Sequence, residues 1–219
     1  MSLSEHRVYC ADIGSVANKC FGWAVALAPN AAVDEADDIE GLTTAVAQAL
    51  AAGEKVALGF ECPLFVPLPD DPQELTKARD GEGSRPWSAG AGCGALATGL
   101  TETVWILSKI KEQLPAVVPA FLDWPKFRAS PCGLFVWEAF VTGQAKTASH
   151  CSDAAAAVRE FLRVSADLEA ANAIKPKRVF SLVGAALLRS GWTHDISVLS
   201  QPCIVIKAAT PNRVDPRAG

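Results

Sequence analysis

Short apolar runs that stop abruptly at an acidic residue set the rhythm of the N-terminal half of this chain. Val8-Tyr-Cys-Ala11 is unbroken and apolar, as in a strand covered on both faces. It ends at Asp12, ahead of the turn-forming Gly14 and Ser15. The pattern predicts strands over 7–12 and 20–28, joined by a loop short enough for antiparallel neighbours. An acidic loop over 29–38 follows. Ile39, Leu42, Val46, Ala49 and Leu50 then recur at helical spacing, and Gly53 closes that helix. Lys55 to Phe60 reads as another buried strand, stopped by Glu61-Cys-Pro63 because proline cannot donate to a central ladder. A crossover helix between strands 7–12 and 55–60 makes them parallel and carries Asp12 and Glu61 to the same edge of one sheet.

Residues 63–94, dense in Pro, Gly and charge, predict a long flap of the kind that covers a site. Beyond it the pattern predicts a helix over 95–114 closed by Pro115, and a strand over 135–141 with Glu138 as its odd polar member. A helix from Ser152 and Asp153 to about Leu168, a further helix over 178–190, a strand over 202–207 and a polar tail over 209–219 complete the series. The expectation is one α/β domain over residues 1–208. Its mixed sheet combines antiparallel hairpin strands with parallel ones, carries helices on both faces, and bears a C-terminal extension at 172–208.

Composition narrows the picture. With 219 residues, half of them hydrophobic and a fifth charged, the chain has room for one well-buried domain and little more. It shows no signal-peptide pattern and no apolar stretch of bilayer length, which predicts a cytoplasmic protein without a membrane partner. Seven cysteines lie scattered without zinc-site spacing, as buried thiols do in a reducing compartment. The net charge of -4 conceals an asymmetry: residues 1–75 carry twelve acids against three bases, and residues 76–219 twelve against seventeen. Such a chain is no general nucleic-acid coat. It would meet a polyanion through a local basic surface assisted by metal ions.

Asp12, Glu61, and the pair His150 and Asp153 at a helix start are the candidate catalytic residues. Converging carboxylates repel, and each keeps a raised pKa unless a cation neutralises them. Hard oxygen ligands suit Mg2+ or Mn2+, and a pair of such ions can activate water and clamp a phosphate. Plainer roles stand beside these: Glu61 as a cap, Asp153 as an N-cap, His150 as a loop residue. Glu138 is either a fourth metal ligand or the partner of a basic residue such as Arg79 or Arg85. In the flap, Lys77, Arg79, Arg85 and Trp87 are candidate substrate contacts. The glycines at 90, 92 and 94 lack the G-K-[ST] ending of a Walker phosphate loop.

Taken together, Asp12-Ile-Gly14 with Gly22-Trp23, Glu61 before Pro63, and His150-x-x-Asp153-Ala154 resemble the ribonuclease H-like superfamily. The resemblance is to its branch of Holliday-junction resolvases and predicted nucleases. The segments Gly59-Phe-Glu-Cys-Pro-Leu-Phe65 and Phe135-Val-Trp-Glu138-Ala-Phe-Val141 are similar to those of an uncharacterised family of predicted nucleases with that fold. The resemblance covers roughly residues 7–168 and implies metal-dependent hydrolysis of phosphodiester bonds in nucleic acid. Asp12, Glu61 and Asp153 would hold the ions and His150 would position water or phosphate. Two rival readings remain open. One is a nucleotide-binding phosphotransferase of the actin and sugar-kinase clan, whose first phosphate loop also runs Asp-x-Gly. It needs two such domains, and this chain would supply them only as a homodimer. The other is a non-catalytic binding module, favoured by the acidic N-terminal third.

Overall fold

The apolar runs become strands where the sequence places them, in a computed structural model that describes residues 6–28, 32–83 and 86–208. Arg85 and the predicted tail at 209–219 lie outside the described residues. β1 (Arg7–Asp12) and β2 (Gly22–Leu27) pair antiparallel, with Asp12 opposite Gly22. The segment expected to be an acidic loop contains instead a short edge strand, β3 (Asp34–Ala36), antiparallel to β2. Charged side chains suit a sheet edge, which is why composition alone reads as a loop there. Helix α1 (Ile39–Ala51) then crosses to β4 (Lys55–Phe60), parallel to β1 as expected.

The predicted flap is partly built. β5 (Phe65–Pro67) lies in it, and α2 (Gly90–Glu112) begins five residues before the expected start at Ala95. Next come β6 (Ala120–Phe121), α3 (Trp124–Ala129), β7 (Gly133–Phe140), α4 (His150–Val164) and the short α5 (Leu168–Ala171). The predicted helix over 178–190 divides into β8 (Val179–Ser181), paired antiparallel with β5, and α6 (Leu182–Arg189). Ser181 makes the break by accepting a hydrogen bond from the Gly184 amide as N-cap. The last strand shortens to β9 (Val205–Lys207).

Among the described residues the main sheet is seven-stranded and mixed, in the order β3-β2-β1-β4-β7, with β6 and β9 both parallel to β7 at its outer side. Strand alternation gives each face its own core. Tyr9, Ala11, Val56, Leu58, Phe60, Leu134 and Val136 meet apolar residues of α1, α2 and α6. Val8, Cys10, Ala24, Ala57, Phe135, Trp137 and Ala139 meet α3 and α4. Helices therefore cover both faces, and no helix among the described residues is long and apolar enough to cross a membrane.

Gly59 shows how tightly the second face is filled. A methyl group there would lie 2.4 Å from the Trp137 indole of the neighbouring strand, and Trp137 is fully buried. Gly59→Ala is accordingly expected to destabilise the protein by about 1–3 kcal/mol in urea unfolding, the usual cost of overfilling a core.

Candidate metal centre

Each functional side chain sits at its element's end for a local reason. Cys10 points toward α4, so alternation sends Asp12, two residues on, to the same face. The pairing of β1 with β4 continues past Phe60 through a 2.8 Å bond from the Glu61 amide to the Ala11 carbonyl, which sets Glu61 beside Asp12. Helix α4 starts at His150. Its N-cap is Ser149, whose side chain accepts from the Ser152 amide. Asp153 is thereby freed from the capping role the sequence offered it, and His150 belongs to the first helical turn. Gly22 makes this approach possible, since a side chain there would come within 2.4 Å of the Cys151 amide and 2.6 Å of the His150 carbonyl carbon. The helix start thus lies directly over the residue paired with Asp12.

The result is a cluster in which Asp12, Glu61 and Asp153 each offer a carboxylate oxygen, all within 4.8 Å of one another. These three carboxylates can hold a metal ion. Nδ1 of His150 lies 2.7 Å from Asp12 Oδ2, and the Thr147 amide donates to Asp153 Oδ1 at 2.6 Å. The cluster borders a cleft of about 340 Å3 roofed by the start of α2 and by Trp87, with Asp12, Glu61, Lys146 and His150 on its wall.

Lys146 is the residue that sequence reasoning missed. Its Nζ lies 2.6 Å from Glu61 Oε1, 2.8 Å from Asp153 Oδ2 and 3.7 Å from Asp12 Oδ2. The available signal was electrostatic: three converging acids need a cation, and Lys146 is the basic residue nearest in sequence to His150. Burial pushes the Glu61 carboxyl from its ordinary 4.5 up to about 9, with Asp12 adding to the effect against the pull of Lys146. Burial also raises Asp12, opposed by Lys146 and His150. For Asp153 burial acts upward but is outweighed by hydrogen bonds from Lys146 and Thr147, leaving it below the usual range. Burial alone would lower Lys146; Glu61, Asp12 and Asp153 overcome it and hold the ammonium charged. A fourth carboxylate, Glu102 of α2, is raised to about 7 by burial while the Gly14 backbone hydrogen-bonds it.

Glu138 does not join this cluster. Leu134 and Val136 of its strand face α1 and α2, so alternation turns Glu138 to that side, away from α4. There Arg79 donates to both its oxygens, Nη1 to Oε2 at 2.9 Å and Nη2 to Oε1 at 2.6 Å, and the Leu64 amide adds a third bond. With both oxygens engaged, the fourth-ligand expectation gives way to the ion pair. Arg79 is equally committed: Nε donates to Glu82 Oε1 at 2.7 Å, and Nη1 also reaches the Phe65 carbonyl. It ties the flap to the sheet, with four of its five N–H donors engaged in these bonds. Trp87 borders the cleft, while its indole donates to the Lys77 carbonyl and its amide to Glu82. Lys77 is 63 % exposed, paired with Glu74, and borders a separate groove. The long segment after Pro63 is therefore a fastened wall.

Comparison with known proteins finds no family model, no curated protein and no solved structure that matches the chain.

The Glu61 shift has a signed consequence for the metal-free protein. The unfolded chain loses the Glu61 proton near 4.5 and the folded protein keeps it to about 9, so stability falls as pH rises through that window. Glu61→Gln removes the titration. Chemical denaturation of both proteins across the window is expected to show wild type losing stability relative to the variant as pH rises.

Proposed function

We propose that the chain is a ribonuclease H-like, divalent-metal-dependent hydrolase of phosphodiester bonds in nucleic acid. The observation that carries this reading is the gathering of Asp12 from β1, Glu61 from the end of β4 and Asp153 from α4 within 4.8 Å. The sheet order supports it. An antiparallel hairpin leading into parallel strands, with Asp12 and Glu61 at the ends of the two central parallel strands, agrees with the resemblance of the Asp12-Ile-Gly14 and His150-x-x-Asp153 motifs. All three ligands are hard carboxylates, which favours Mg2+ or Mn2+ over softer ions.

In that reading the ion supplies Lewis acidity and an activated water when bound. Asp12, Glu61 and Asp153 hold it. His150 orients the Asp12 carboxylate through the 2.7 Å contact and stands at the cleft wall, where it can pass a proton to or from substrate. The cleft beside the cluster has room for about one nucleotide unit, and Trp87 on its wall can face a base. A second reading, a non-catalytic module, is favoured by one observation: Lys146 already neutralises the acids that a metal would need.

The deciding experiment incubates the protein with end-labelled single-stranded and branched oligonucleotides of DNA and RNA, with Mn2+ or Mg2+. Metal-dependent cleavage is expected, abolished by chelation and reduced about a hundredfold or more by Asp12→Asn, whose circular dichroism stays that of wild type. Cleavage that survives unchanged in Asp12→Asn, or no cleavage with either ion, would overturn the proposal in favour of the module.

A further inference from the structure

We infer that Lys146 is a tethered counterion which occupies the metal seat in the ion-free protein and is displaced when a divalent ion binds. The inference rests on the metal reading above and adds the mechanism that governs loading. The Lys146 ammonium stands among the carboxylate oxygens that the ion would use, within 2.6 Å of Glu61 and 2.8 Å of Asp153. A divalent ion and an ammonium cannot share that space, because like charges at such separation in a buried site repel strongly. One must leave, and only Lys146 is attached to something that lets it return.

Its attachment suits the exchange. Lys146 follows a short 3-10 turn at Gly143–Ala145, and Gly143 adopts a left-handed φ of 61° that a side chain would strain. The lysine side chain is 32 % exposed and borders the cleft, so its flexible stem can carry the ammonium outward without unpacking the core. The acids, by contrast, are set at the ends of β1 and β4 and on α4. A second observation points to an absent cation: Glu61 Oε2 is buried without a hydrogen-bond partner among the described residues, although the side chain is only 10 % exposed. Lys146 satisfies Oε1 and leaves Oε2 over, where an ion bridging the carboxylates can engage it. The lysine is thus an incomplete substitute, good enough to hold the acids together and weak enough to yield.

Two measurements test this without using activity. Mn2+ binding is titrated by the loss of the free-ion electron paramagnetic resonance signal in wild type and in Lys146→Met, which keeps the stem and removes the charge. Wild-type Lys146 is separately labelled with acetic anhydride, with and without Mn2+, and its rate read by peptide mass mapping against the exposed Lys126. Displacement predicts that Lys146→Met binds Mn2+ about tenfold more tightly or better, and that Mn2+ speeds acetylation of Lys146 severalfold while Lys126 stays constant. If Mn2+ binds wild type while Lys146 stays protected and the variant binds no tighter, displacement is wrong and the metal centre stands. If neither protein binds Mn2+, both fall. Should the variant misfold, the labelling of wild type decides alone.

Discussion

Like charges drawn together out of water repel, and the site at the ends of β1 and β4 is organised around that repulsion. Asp12, Glu61 and Asp153 converge where solvent cannot screen them, so the fold has to neutralise them from within. It does so twice over. The Lys146 ammonium bonds to Glu61 and Asp153, and burial keeps a proton on Glu61 well past neutrality. Both compensations are exchangeable, since a proton and a tethered ammonium can each give way to a divalent ion. A permanently structural acid cluster would be expected to have its oxygens all engaged, and Glu61 Oε2 is not.

Arg79, Glu82 and Glu138 are as deeply buried as the acidic cluster, yet both carboxylates have both oxygens engaged. Such a knot fixes structure: it ties the segment after Pro63 to β7 and forms one wall of the cleft. Strand alternation decides which acid belongs to which network. Asp12 follows Cys10 to the α4 face, and Glu138 follows Val136 to the opposite one. Gly22 then allows the start of α4 to close over the first set.

How far the sequence disclosed this depends on whether a signal was local. Asp12 and Glu61 were legible because an apolar run ending at an acid is written in consecutive residues, and β1, β4 and α1 followed from the same pattern. Edge strand β3 escaped because exposed edges are built from charged residues that read as loop. The pairing of β5 with β8 joins residues more than a hundred positions apart, and no local pattern encodes it. The glycines that open α2 lower helix propensity, so the local pattern places the helix start only at Ala95. Lys146 carries no local signal of its place in the site. A lone lysine in a loop reads as surface, and only the placement of three acids around it gives it a role.

The most direct test is diffraction from crystals soaked in Mn2+, with anomalous differences locating the ion. The account predicts a peak bonded to Asp12, Glu61 and Asp153, with the Lys146 ammonium turned away from them into the cleft. An empty anomalous map, with Lys146 still bonded to Glu61 and Asp153, would contradict it.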